Sequence, residues 1–213
     1  GANIELRQFA NADAEADFII KDIKAKANDN FKDFAVLYRT NAQSRLLEER
    51  CVTLGVPYQL VGGVNFYQRK EIKDVLAYLK TIANGSDDIA LLRIINLPKR
   101  GIGATTIAKV ADYANENGIS LYDAMTVCEN IGIGKAADKI KKFIAMIEEF
   151  RDKVAKKANI ANMIEELLDK TGYIESLYDE GEIEGESRKE NIEELVNKSV
   201  DYEDGELSLF LEE

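Results

Sequence analysis

Only two prolines, Pro57 and Pro98, punctuate the 213 residues of the chain. A proline inside a helix removes a hydrogen bond and clashes with the preceding turn, so their scarcity leaves long stretches free to run as helix. Hydrophobic residues at 46% and charged residues at 31% exclude a disordered chain and allow a real core in one domain or two. No apolar run approaches the roughly 18 to 20 residues of a membrane span, and the N-terminus lacks the basic-then-apolar pattern of a signal peptide. The expectation is a soluble, cytoplasmic, mostly helical protein with no membrane partner.

Before the double glycine Gly62-Gly63 the pattern is of the α/β kind. Ile4-Glu5-Leu6-Arg7-Gln8-Phe9 alternates like a strand, residues 11 to 28 carry Ala14, Phe18, Ile19 and Ile23 at helical spacing, and Phe34 to Tyr38 is a short apolar run. Ser44 to Leu54 then reads as a helix stopped by Gly55, and Tyr58 to Val61 as a third strand. Strand, helix, strand, helix, strand implies part of a parallel sheet. After the glycine pair, helices are expected near 69–83, 87–95, 104–117, 120–128, 134–155, 160–171, 173–179 and 188–202, with a short one from Glu206. The expected fold class is therefore α/β plus α: a partial parallel α/β segment over residues 1–66, then a mainly helical domain over 67–213. Glu180 to Glu186, with two glycines and a carboxylate at every second position, reads as a mobile loop. Ser187 and Glu190 read as a capping box for the helix after it. The Gly1-Ala2 start, without methionine, reads as the scar of a cleaved tag on a piece of a longer protein.

Composition removes several chemistries. The chain has no histidine, hence no Ser-His or Cys-His nucleophile pair, and Cys51 and Cys128 are isolated rather than in a CxxC spacing. No metal site is expected, and both cysteines read as reduced, partly buried thiols. The net charge of −11 argues against nucleic acid taken alone, but its distribution does not. Residues 67–145 hold 12 basic and 9 acidic side chains, whereas residues 146–213 hold 8 and 21. A positive middle beside an acidic end permits DNA binding in the middle, and equally fits a solvated helical surface at the end.

Three stretches could carry function. Around Leu97-Pro98-Lys99-Arg100-Gly101-Ile102-Gly103-Ala104-Thr105-Thr106 an apolar helix, a Gly-apolar-Gly turn and a second helix fit the helix-hairpin-helix pattern. Glycines allow positive φ and close approach of a phosphate, while the second helix offers unpaired N–H groups and its positive dipole end. Lys99 and Arg100 add charge, and Thr105 or Thr106 a hydroxyl, so the unit would grip backbone without reading bases. The pattern recurs 31 residues later at Gly132-Ile133-Gly134-Lys135. Either turn also fits a plain interhelix connection.

The second stretch, Arg39-Thr40-Asn41-Ala42-Gln43-Ser44-Arg45, leaves a presumptive strand and enters a helix, offering donors suited to phosphate and base edges. Its other reading has Asn41 capping the helix and the arginines solvated. The third runs from Gly62 and Gly63 through Arg69, Glu71 and Asp74, either a joint between domains bridged by ion pairs or ordinary helix charges.

Taken in order, the stretches AVLYRTNAQSRLLEE, VPYQLVGGVNFYQRKEIKDVLAYLK, LLRIINLPKRGIGATTI and SRKENIEELV resemble the superfamily-1 DNA helicases of the PcrA, UvrD and Rep group. The resemblance runs over nearly the whole chain from about Ile4. It implies a fragment of an ATP-dependent 3′-to-5′ helicase of DNA repair or replication: the first half of the second RecA-like motor domain, 2A, then most of the helical insertion, 2B. Arg39, Thr40, Asn41, Ser44 and Arg45 would then lie on the single-strand track, and Lys99 through Thr106 would face duplex DNA. Gly62 through Asp74 would be the hinge. The recurring glycine pattern at Gly132, Gly134 and Lys135 adds, from the residues themselves, a weaker second hairpin. ATP and magnesium belong to the parent enzyme. This chain has no GxxxxGK[ST] loop, so no cofactor and no activity are expected of it alone. The alternative is a regulatory module that meets a repair or transcription protein and whose hairpins are only structural.

Overall fold

The computed structural model describes residues 3–202 and 206–212; the Gly1-Ala2 start lies outside them. The chain forms two compact units, Gly1–Arg69 and Lys70–Glu213.

In the first unit, α1 (Ala12–Ala27) begins where the Asn11 side chain accepts from the Ala14 amide at 2.8 Å. A 3-10 turn, Asn41–Gln43, leads into α2 (Ser44–Leu54). The two helices close around Ile20, Cys51 and Val56, with Ile19, Ile23, Phe31, Leu47 and Leu54 packed against them. Lys24 donates to the Leu54 carbonyl, supplying a partner that the helix end lacks.

The α/β expectation fails here. Among the described residues there is no strand, and the segments 3–9, 34–38 and 58–61 are neither helical nor paired. Ile4, Leu6, Leu37 and Val61 are at least nine-tenths exposed. Apolar alternation gives a segment a face, but a strand exists only when its N–H and C=O groups meet a neighbour's. No such ladder forms among these segments, so the fold is mainly helical, without a RecA-like parallel sheet.

The second unit contains α3 (Lys70–Ala83), α4 (Asp88–Ile94), α5 (Ala104–Asn117), α6 (Leu121–Thr126), α7 (Ala136–Ala155), α8 (Ile160–Thr171), α9 (Tyr173–Leu177), α10 (Glu182–Ser199) and α11 (Leu207–Glu212). Helix α3 buries Ile72, Val75, Leu79 and Ile82, spaced by three and four residues, and packs against α4, α7, α10 and α11. Helix α7 brings Ile140, Phe143, Ile147 and Phe150 to the same core. Each such side chain contributes roughly 1.5 to 3 kcal/mol by burial.

The stretch expected as a loop over Glu180–Glu186 is instead ordered: it ends a 3-10 turn, Tyr178–Glu180, passes Gly181 and begins α10. Glu180 is held by Lys70 at 2.8 Å and Arg188 at 2.6 Å, and Tyr178 donates to Glu186 at 2.6 Å. Glu182 and Glu184 sit in the first turn, where the helix dipole favours carboxylates. Ser187 and Glu190 accordingly lie inside α10 rather than at its cap. The Arg188 guanidinium, and then Lys70, hold the Glu180 carboxyl down from its ordinary value near 4.5 to about 2. A depressed folded pKa contributes stability above the ordinary carboxylate range and loses it as pH falls through that range toward 2. Protection of the amides that close the first turn of α10, taken relative to their intrinsic exchange rates, should therefore fall across this acid window. Glu180→Gln should remove that pH-dependent fall; an unaltered profile in the variant would refute the assignment.

Candidate nucleic-acid interface

The turn between α4 and α5 is organised from inside. Ile102, 1% exposed, plugs it into the core, and Gly101 adopts φ +68. A side chain at Gly101 would meet both that strained conformation and the Lys139 ammonium, whose Nζ donates to the Gly101 carbonyl at 3.0 Å. The Asn96 side-chain oxygen accepts from the Arg100 amide at 2.7 Å and the Ile102 amide at 3.3 Å. These bonds fix the path of the backbone through the two glycines.

Outside, the turn is open. Gly103 is the N-cap of α5 and no side chain caps it among the described residues. Its carbonyl accepts from the Thr106 and Ile107 amides at 3.0 and 3.1 Å, so the helix's unpaired donors begin just before them. No heavy atom comes within 4 Å of a Cβ built at Gly103. Lys99, Ala104 and Thr105 are exposed around it, and Thr106 is half-buried. This arrangement can receive an anion through backbone donors and one ammonium.

Arg100 faces the other way. Its Nη1 donates to the carbonyls of Ile94 at 2.8 Å and Leu97 at 3.0 Å, with Pro98 and Ile95 at 3.3 and 3.4 Å, and Nη2 donates to the Tyr78 hydroxyl. The guanidinium lies 5.1 Å from the Phe143 ring centroid. Burial pushes the Tyr78 hydroxyl up, against the pull of Arg100, and keeps it a neutral donor to Leu97.

At the second turn Gly132 and Gly134 have φ +70 and +58, and Lys135 is exposed at the start of α7. No side chain caps α7 among the described residues. Asp138 lies in its first turn and Glu129 pairs with Lys141, which lowers the positive potential there.

In the first unit, Thr40 and Gln43 form a capping box, with the Gln43 oxygen accepting from the Arg39 amide at 2.9 Å and the Thr40 amide at 3.2 Å. Thr40, not Asn41, is thus the cap. Arg39 and Asn41 are exposed, whereas Ser44 and Arg45 are buried. Arg45 makes a two-bond contact to Glu49 at 2.9 and 3.0 Å; Ser44 donates to Glu48 at 2.6 Å and accepts from Arg69 at 2.7 Å. Glu48 also accepts from the Phe66 amide, and Tyr67 donates to Glu49. The five residues therefore split into an exposed pair at the turn, a cap, and a buried polar network beneath.

The charges expected at the joint between domains each have a partner in their own unit. Arg69 belongs to the Ser44–Glu48 network, Asp74 accepts from Arg93 at 2.6 Å and Tyr173 at 2.7 Å, and Glu71 accepts from Asn191 at 2.6 Å. Gly62 has φ +78, and both it and Gly63 are exposed. Cys51 and Cys128 are buried, and desolvation pushes both thiols up, which suits packing rather than nucleophilic chemistry. Sequence reasoning missed Asn96 and Tyr78; an Asn shortly after an apolar helix, ahead of a Pro and a Gly turn, was the available signal for the first.

The chain matches the model of the UvrD-like helicase C-terminal domain over residues 1–212 and belongs to that family. Among its relatives, the ATP-dependent DNA helicase PcrA of Staphylococcus epidermidis is 41% identical over 207 residues, 96% of this chain and 28% of the relative. PcrA of Staphylococcus aureus is 45% identical over 193 residues, 89% of this chain and 26% of the relative. The chain spans little more than a quarter of the length of these curated relatives. No helix among the described residues is long and apolar enough to cross a membrane.

Proposed function

We propose that this chain is the part of an ATP-dependent 3′-to-5′ DNA helicase that meets DNA, duplex at the α4–α5 turn and single strand at the turn before α2. One observation carries the reading: the N-terminus of α5 has no side-chain cap at Gly103 and open space in front of it, with Lys99 exposed four residues earlier in the chain. Thr105 adds an exposed hydroxyl, and the glycine turn at Gly132 to Lys135 is a second, weaker backbone contact. Arg39 and Asn41 offer donors to a single strand, with Thr40, Ser44 and Arg45 shaping the turn beneath them. All these contacts are to backbone, so binding is independent of sequence.

ATP and magnesium do not fit the residues described. Ala136 follows Gly134-Lys135 where a phosphate loop needs a hydroxyl, and the described residues hold no cluster of three metal ligands. No step of nucleotide chemistry is assigned to this chain, and the isolated chain should not turn over ATP.

Salt titration tests the reading. Binding to a mixed-sequence duplex should weaken as salt rises, and Lys99→Ala should reduce the slope of log K against log salt by about 0.9, the value of one phosphate contact. Duplex binding that ignores both salt and Lys99 would overturn it and favour the protein-interaction module with structural hairpins.

A further inference from the structure

We propose that Arg100 is a positioning residue, one that builds the DNA-facing turn without touching phosphate. The inference deepens the reading of that turn as a DNA contact and rests on it. Arg100 stands next to Gly101 in a basic pair with Lys99, and charge alone would send both to DNA. Geometry separates them. Lys99 is exposed, while the Arg100 fork is committed to the Ile94, Leu97 and Pro98 carbonyls and to the Tyr78 hydroxyl.

The Ile94 carbonyl closes α4, where it also accepts from the Leu97 amide at 3.0 Å, and the Leu97 and Pro98 carbonyls follow in the turn; without Arg100 their remaining lone pairs would add to the negative end of the helix dipole beside the anion-binding turn. Arg100 cancels that potential from within. One face of its guanidinium is covered by Phe143, which a phosphate cannot displace without opening the core. Arg151 does the same at the end of α3, donating to the Thr81 carbonyl at 3.2 Å with its guanidinium 4.4 Å from the Tyr122 ring centroid. In both places an arginine closes a helix end and stacks on a buried ring, a role a lysine cannot fill.

The charge-conserving variant Arg100→Lys, compared with Tyr78→Phe in the full 213-residue chain, tests this against mixed-sequence duplex DNA. Tyr78 is 2% exposed and cannot reach DNA; it acts only through Arg100 and Leu97. Expected are about tenfold weaker binding for Arg100→Lys and about threefold for Tyr78→Phe, the double variant no weaker than Arg100→Lys alone. In the absence of DNA, the Arg100 and Ile102 amides should exchange at least tenfold faster in Arg100→Lys. A direct phosphate contact predicts the opposite pattern: Arg100→Lys binds like the parent, Arg100→Gln lowers the salt slope by about one, and Tyr78→Phe changes nothing. That pattern would overturn the proposal. If Arg100→Lys does not fold, Tyr78→Phe decides alone. Should the parent chain itself fail to bind duplex, the reading of the turn falls, and amide exchange still reports whether Arg100 holds it.

Discussion

Replacing Asp74 by alanine is expected to cost about 3 to 5 kcal/mol of folding stability, read as a lower urea midpoint at unchanged slope. Asp74 is 2% exposed and accepts from the Tyr173 hydroxyl and the Arg93 guanidinium at once. Alanine strands the two donors unequally. Arg93 is about a third exposed and can turn to water, but Tyr173 is buried and its hydroxyl would be left without an acceptor. Burial first, and then the Asp74 hydrogen bond, push the Tyr173 hydroxyl far above its ordinary value, so it stays a donor at any working pH. Asp74→Asn keeps the shape and lets that hydroxyl rotate, and should cost nearer 1 to 2 kcal/mol. A loss below about 1 kcal/mol in Asp74→Ala would show that the triad does not stabilise the unit. The prediction also concerns role: Asp74 ties α3 to α4 and α9 within one unit, so its variants report first on that unit's stability.

What the residues disclosed by themselves follows the range of the interactions involved. Helices α3 and α8 were legible because Ile72, Val75, Leu79 and Ile82, and likewise Ile160, Ile164 and Leu167, repeat at the helical period and all turn inward. Stops at Gly55 and Gly172 were legible because both sit in the left-handed region that ends a helix. Strands were not, since Ile4-Glu5-Leu6 has the alternation of a strand and no ladder among the described residues. The start of α10 was missed because Glu180 to Glu186 looks repulsive until Lys70, distant in sequence, is placed beside Glu180.

At the candidate site the glycine positions could be read directly, but the direction of a side chain could not. Counting charge put Lys99 and Arg100 together, whereas packing turns Arg100 onto Phe143 and leaves Lys99 in solvent. Arg93 is likewise engaged inside the second unit. The surplus of 12 basic over 9 acidic side chains in residues 67–145 therefore misstates the charge available to a phosphate. Exposed lysines, Lys99 and Lys135 among them, carry that availability.

Gly103→Asp is expected to move stability and DNA affinity in opposite directions. The residue has φ −81 and ψ 163, ordinary for an N-cap, and open space where a side chain would stand. Aspartate there can accept from the free amides of α5 and favours the helix dipole, so the chain should gain about 0.5 kcal/mol. The same carboxylate would occupy the place proposed for a phosphate. Two unit charges about 5 Å apart at an effective dielectric near 20 repel by roughly 3 kcal/mol. Salt and solvent reduce that to about 2 kcal/mol, or about thirtyfold in duplex affinity. Gly103→Asn separates charge from occupancy, because it caps equally well without repelling: its stability should match the aspartate variant while its affinity falls only a few-fold. Thermal unfolding and duplex binding measured on the three proteins supply both axes. A Gly103→Asp protein that is more stable and still binds duplex like its parent would mean that the α5 terminus is not where DNA is held. One that loses affinity only in proportion to stability would implicate the fold rather than the site. The expected result, stability up and affinity down, is one that a purely structural hairpin has no means of producing.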